Sequence, residues 1–195
     1  MDFNGNEEFV FLHAYGDNSK GAFWPWLKKE IESRNGKVVF MPDLPNTDNP
    51  IYEEQKDYVL DNYTFNENSI VVAHSLGNVL IMKLLTEKEI KIDKIIMVAP
   101  PLPTKEGMIS GSAFLDNKPR PALAKYCDWK FDFEKIKSSA NEIIVLADEK
   151  DHIVPIKQPI EIAKKLGAKF VRGSGNQTHF NGEKEEIVLE QIIKN

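Results

Sequence analysis

Residues 69–80 read Ser-Ile-Val-Val-Ala-His-Ser-Leu-Gly-Asn-Val-Leu. A β-branched run stops abruptly at Ala73-His74-Ser75-Leu76-Gly77, and an apolar helical pattern follows at Val79, Leu80, Met82, Leu84 and Leu85. The spacing predicts a strand, a tight turn and a helix, with Ser75 at the tip of the turn. A serine there sits in a strained backbone with its hydroxyl projecting above the sheet. Small residues two before and two after it let strand and helix pass close together. The pattern is a nucleophile elbow, G-x-S-x-G, with Ala73 in place of the first glycine. The turn also frees the Leu76 amide at a helix N-terminus, where it can donate to a developing oxyanion. The competing reading is that Ser75 is an ordinary N-cap whose hydroxyl bonds the helix behind it.

A serine hydroxyl is a weak nucleophile and needs a base, which in turn needs an orienting acid. On an elbow of this kind the chain order is Ser, then Asp or Glu, then His. There are four histidines, and His13 and His74 precede Ser75. His152 follows closely on an apolar run. His179 lies after the last predicted strand, in Gly173-Ser174-Gly175-Asn176-Gln177-Thr178-His179-Phe180, and is the expected base. The acid is expected just past the fifth strand, where Asp148, Glu149 and Asp151 stand. Asp151 is chosen because Asp151-His152-Ile153-Val154-Pro155 places an acid on a loop before an apolar anchor and a helix-opening proline. Asp148 is held as the reserve. The second oxyanion donor is expected from the loop after the first strand, His13-Ala14-Tyr15-Gly16, at the amide of Tyr15. His13 and His74 read as packing or hydrogen-bonding residues, since no cluster with metal-ligand spacing surrounds them. Trp24, Trp26, Trp129 and Phe180 read as core or pocket wall, and Cys127 as a buried inert thiol.

These groups need a scaffold that brings strand ends together. Continuous apolar runs at 9–12, 38–40, 69–74, 95–99, 142–147 and 168–172 predict six strands buried on both faces. Between them, helical patterns are expected at 24–34, 52–63, from 76 through the apolar positions up to Leu85, at 131–138 and at 155–166, with a closing amphipathic helix at 183–194. Pro25 suits an early helical position, and Asn35-Gly36 and Gly167 mark helix ends. Residues 102–130 show no clear periodicity and read as an excursion over the top of the sheet with a short helix at most. Strands alternating with helices predict an α/β three-layer αβα sandwich around a mainly parallel, about six-stranded sheet. Ligands bind such sheets at the carboxyl ends of the strands, where every loop named above falls.

With 195 residues, 42% of them hydrophobic, one domain spanning 1–195 is expected. A net charge of −5 without a basic cluster argues against nucleic acid or an anionic membrane as partner. A single cysteine leaves no intramolecular disulfide and no multi-cysteine metal site. Residues 1–8 are acidic and polar, unlike a secretory signal. No apolar run approaches about 20 residues, the length of a membrane span. The expectation is a cytoplasmic protein.

The ordered set resembles the small serine hydrolases typified by retinoblastoma-binding protein 9, within the α/β-hydrolase superfamily. The resemblance rests on Trp24-Pro25-Trp26-Leu27-Lys28-Lys29-Glu30, Met41-Pro42-Asp43, the elbow 73–77, residues 129–136, Asp151-His152-Ile153-Val154-Pro155 and His179-Phe180. It implies the α/β-hydrolase fold without an inserted cap domain and a Ser-Asp-His triad at Ser75, Asp151 and His179. Ala73, Ala14 and Thr178 stand where such hydrolases commonly have glycine.

Together these readings predict acyl transfer on a small ester, with an amide as the alternative substrate. The expected machinery is Ser75, His179, Asp151 and the amides of Leu76 and Tyr15, without cofactor or metal. The rival from another class is a binding module, for a ligand or an unknown protein, on a hydrolase scaffold. A nucleotide-binding reading is disfavoured, because neither Gly-x-Gly-x-x-Gly nor a Walker loop follows the first strand.

Overall fold

Six apolar runs form six strands: β1 (Glu8–Leu12), β2 (Lys37–Phe40), β3 (Ser69–His74), β4 (Ile92–Val98), β5 (Ala140–Ala147) and β6 (Lys169–Arg172). The computed structural model describes residues 2–102, 118–126, 128 and 130–193. The strands make one sheet in the order β2-β1-β3-β4-β5-β6, every pair parallel. The helices are α1 (Trp24–Glu32), α2 (Tyr52–Asn62), α3 (Leu76–Glu87), α4 (Pro121–Tyr126), α5 (Phe133–Ser138), α6 (Lys157–Leu166) and α7 (Glu186–Ile193).

Side-chain alternation along each strand divides the core in two. Phe9 and Phe11 of β1 pack with Trp24, Leu27 and Ile31 of α1 and with Val188 and Ile192 of α7. Val10 and Leu12 face the opposite layer with Val59 of α2, Leu80 of α3, Ile136 of α5 and Ile162 of α6. This is the three-layer αβα sandwich expected from the sequence. The chain first steps from β1 outward to β2, then returns to β3 on the other side of β1. That reversal opens a crevice at the carboxyl ends of β1 and β3, the position where parallel sheets bind ligands.

Several boundaries differ from the sequence reading. β4 and β5 begin earlier than their apolar runs, at Ile92 and Ala140, because Ile92 pairs with Ala140 and Lys94 with Glu142. Lys94 Nζ lies 2.7 Å from Glu142 Oε2, so an ion pair extends the ladder past its hydrophobic part. The closing helix starts at Glu186 rather than 183. α6 ends as expected, at Gly167, which adopts φ 62°. Within the excursion, α4 buries Leu123, Ala124 and Tyr126. Residues 103–117, Cys127 and Trp129, also read from the sequence, lie outside the described residues. Among the described residues no helix is long and apolar enough to cross a membrane.

Candidate active site

β3 ends at His74, and the next residue breaks the backbone geometry. Ser75 adopts φ 48° and ψ −116° and makes no side-chain capping bond to α3. The N-cap alternative is therefore not what its side chain does. A non-glycine residue at positive φ costs about 1–3 kcal/mol and persists where surrounding structure over-determines it. Here the Ser75 N–H donates to Val98 O at 2.9 Å. Asn78 Nδ2 donates to Ser75 O at 3.2 Å and to Val98 O at 2.9 Å. Asn78 is fully buried, and the sequence reading did not single it out. Its position one turn into α3, facing β4, was the available signal.

Ala73 fits the elbow as a fully buried residue of a regular strand. Gly77 has no such tolerance. A Cβ there would lie 2.3 Å from Leu12 O and 2.9 Å from His13 O, so the helix start rides directly on the end of β1.

That contact sets Leu76 beside the loop after β1. Gly16 N–H donates to Thr47 O and Asp17 N–H to Ala14 O. Among the described residues, no loop or cap hydrogen bond takes up the N–H of Tyr15 or Leu76. Ala14 is not at positive φ, so its methyl group does not strain the loop. His13 is buried, with Nδ1 2.9 Å from Ala14 O and Nε2 accepting from the Leu44 N–H at 2.9 Å. It is a strut between two loops, held neutral because burial pushes its pKa down.

On the other side of the crevice, His179 Nδ1 donates to Asp151 Oδ2 at 2.8 Å. Both side chains are buried. The other Asp151 oxygen, Oδ1, accepts from the Ile153 N–H at 2.8 Å and the Val154 N–H at 2.9 Å. Burial opposes ionisation of Asp151, but the His179 and backbone hydrogen bonds outweigh it, and its pKa falls below the usual value. Asp148 is buried too, but its carboxylate accepts from the N–H groups of Lys150 and Gly175. With Nδ1–H committed to Asp151, neutral His179 keeps its lone pair at Nε2.

Ser75, Leu76, Tyr15 and His179 all line one cavity of about 380 Å³. Leu123, Ile153, Val154 and Pro101 give it an apolar wall. Among the described residues Ser75 Oγ makes no hydrogen bond. Trp24 and Phe180 are fully buried core rather than wall, and Trp26 packs against the same core. His152 is exposed. Among the described residues no group of three or more His, Cys, Asp or Glu side chains could hold a metal ion.

His74 is fully buried behind this site, and its Nε2 lies 2.7 Å from the backbone oxygen of His179. A carbonyl only accepts, so Nε2 carries the proton. Burial, reinforced by nearby His179, pushes its pKa down to about 3. A depressed histidine contributes stability that is present above its unfolded pKa of about 6.5 and is lost as pH falls towards the folded value. Each such proton gives a slope of about 1.4 kcal/mol per pH unit. His74→Gln keeps a donor but does not titrate. Urea midpoints measured from pH 6.5 to 5 should fall with acid in the wild type and fall less steeply in the variant.

The profile of the family described as serine hydrolase matches residues 9–194, and the chain belongs to that family. It is a small serine hydrolase with the α/β-hydrolase fold. It is 29% identical over 164 residues to YdeN of Bacillus subtilis (strain 168), covering 83% of this chain and 80% of YdeN. The crystal structure of the ydeN gene product superimposes with a TM-score of 0.81 at 23% identity, covering 95% of this chain and 96% of that one. Est1E from Butyrivibrio proteoclasticus with ferulic acid bound has a TM-score of 0.65 at 14% identity, over 96% of this chain and 90% of that one. Carboxylesterase CesB from B. subtilis has a TM-score of 0.60, also at 14% identity, over 98% of this chain and 84% of that one.

Proposed function

We propose that the chain cleaves small carboxylic esters through an acyl-enzyme on Ser75, as a cytoplasmic hydrolase of the retinoblastoma-binding protein 9 type. The observation that carries this reading is the Asp151–His179 hydrogen bond of 2.8 Å in a cavity shared with a positive-φ serine. His179 Nε2 takes the Ser75 hydroxyl proton as Oγ bonds to the ester carbonyl carbon. The carbonyl oxygen becomes an oxyanion, received by the N–H groups of Leu76 and Tyr15. Collapse of the adduct breaks the carbon–oxygen bond to the alcohol, and His179 gives its proton to the departing alkoxide. Water, deprotonated by the same nitrogen, then attacks the acyl group, and the carboxylic acid leaves as the proton returns to Ser75. Asp151 holds the imidazole tautomer and stabilises its cation.

The cavity supports a small acyl group. Its volume of about 380 Å³ and its Leu, Ile and Val wall suit an apolar chain or ring. Amides remain within reach of the same chemistry, with a harder leaving group.

Intact-mass labelling with a fluorophosphonate tests the reading directly. The wild type should take up one adduct and Ser75→Ala none, with hydrolysis of p-nitrophenyl acetate lost in the variant. A wild-type protein that stays unlabelled would overturn the catalytic reading in favour of a binding module on this scaffold.

A further inference from the structure

The base loop is organised around a carboxylate that the reaction does not use. Glu185 immediately precedes α7 and is 1% exposed. Among the described residues it enters no ion pair; it faces backbone amides. Oε2 accepts from the Asn176 N–H at 2.7 Å. Oε1 accepts from the Gly182 N–H at 2.9 Å and, at the limit of hydrogen-bond length, from the Gln177 N–H at 3.5 Å. Two glycines make room for it. A Cβ on Gly175 would lie 2.8 Å from Oε2, and one on Gly182 would lie 2.7 Å from Oε1. Neither glycine is at positive φ; Gly182 admits the close approach of the carboxylate, and Gly175 that of the carboxylate together with Gln177 O, also 2.8 Å from its Cβ position.

His179 stands three residues from the Asn176 amide and three from the Gly182 amide, at the crest of the loop. It adopts φ 63° and ψ 16°, and Phe180 follows at φ 55°. Two successive non-glycine residues in the left-handed region do not hold that shape by local preference. At the crest, His74 Nε2–H donates to His179 O, the Phe180 N–H donates to Gln177 O, and His179 Nδ1–H donates to Asp151. The ends of the loop are fixed by Glu185.

We propose that Glu185 is a positioning residue for the base: by clamping both ends of the 176–182 loop, it sets His179 Nδ1 on Asp151 and Nε2 towards Ser75. This rests on the catalytic reading of the site. Burial of a carboxylate without a counter-cation is costly. A structural loop could be closed by a neutral side chain, whereas two acceptor oxygens aimed at opposite ends of one loop hold its span. A displacement of about 1 Å at a catalytic group can cost about 100-fold in rate.

The test is Glu185→Gln, which keeps the shape but turns an NH2 group towards an amide that needs an acceptor. In protein shown to be folded by its melting curve, kcat for p-nitrophenyl acetate should fall about 10- to 100-fold. KM should change less than about 3-fold, because the cavity wall is untouched, and fluorophosphonate labelling should slow in step with kcat. The low-field proton resonance of His179 Nδ1–H, assigned by its loss in Asp151→Asn, should shift or broaden. Glu185→Asp keeps the charge but withdraws it, and should fall between wild type and Gln. It also serves as the folded variant if Gln does not fold. Unchanged turnover per folded molecule with an unchanged resonance, even at a lowered melting temperature, would overturn the proposal and leave Glu185 a purely structural residue. If the wild type itself fails to label, the catalytic reading falls. The resonance then still reports whether Glu185 positions His179, so the two failures are distinguishable.

Discussion

Asp151→Asn should lower kcat on a p-nitrophenyl ester by about four orders of magnitude while leaving the protein folded. The mechanism is a tautomer change. In the wild type Asp151 Oδ2 accepts the Nδ1 proton of His179. An asparagine amide turned to donate to Nδ1 would move the imidazole proton to Nε2, leaving no lone pair to accept the serine proton. An asparagine turned the other way keeps the tautomer but loses the negative charge that stabilises the imidazolium. Either way Ser75 labelling by a fluorophosphonate should slow in parallel with kcat. Asp148→Asn is the informative control. Its carboxylate is as buried as that of Asp151 but is occupied by the amides of Lys150 and Gly175. It should lower stability and change kcat by less than about 10-fold. The reverse ranking of the two variants would move the acid to Asp148 and overturn the assignment of Asp151.

Those two aspartates also show where sequence reasoning stops. Both follow β5 within four residues, and either could reach a histidine from the next loop. What separates them is the direction of their side chains, which depends on Gly175, 27 residues beyond Asp148. Strands were legible because a sheet covered on both faces demands unbroken apolar runs. Phe9 to Leu12 satisfies both layers at once, the phenylalanines facing α1 and Val10 and Leu12 facing α3. The first residues of β4 and β5, 92–94 and 140–141, were not legible, since they join the ladder through cross-strand pairing, Ile92 with Ala140 and Lys94 with Glu142. The elbow was legible because a single turn contains its whole logic. Glu185 was not. In the run Glu183-Lys184-Glu185-Glu186 it looks like one more acidic residue at a helix N-terminus. Only the folded loop shows its carboxylate turned back on the amides of Asn176 and Gly182. Nor can a sequence show which backbone N–H groups are left over after a loop has made its own bonds. The spare amide of Tyr15 is such a residue, defined by Gly16 and Asp17 having found partners.

Among the described glycines, Gly77→Ala should be the most damaging substitution, because the atoms its Cβ meets are all backbone. Its Cβ would sit 2.3 Å from Leu12 O, 2.8 Å from Leu12 C and 2.9 Å from His13 O. All three are backbone atoms of a central strand and its outgoing loop. They cannot rotate aside as a flexible side chain could. Relief requires α3 to lift from β1, which withdraws the packing of Val79 and Leu80 against the core. A cost of about 3 kcal/mol or more follows, seen as a melting temperature about 10 °C lower for a chain of this size. The functional loss should exceed the stability loss. The same contact that excludes a Cβ brings the Leu76 amide beside the loop that carries the Tyr15 amide. Lifting the helix separates the two proposed oxyanion donors, and one such donor alone is worth about 100- to 1,000-fold in kcat. Gly167→Ala provides the contrast, because it strains a left-handed helix end at φ 62° with no backbone atom in the way. It should cost about 1–2 kcal/mol and leave turnover per folded molecule unchanged. Equal effects of the two variants on turnover would mean that the close passage of α3 over β1 serves packing alone.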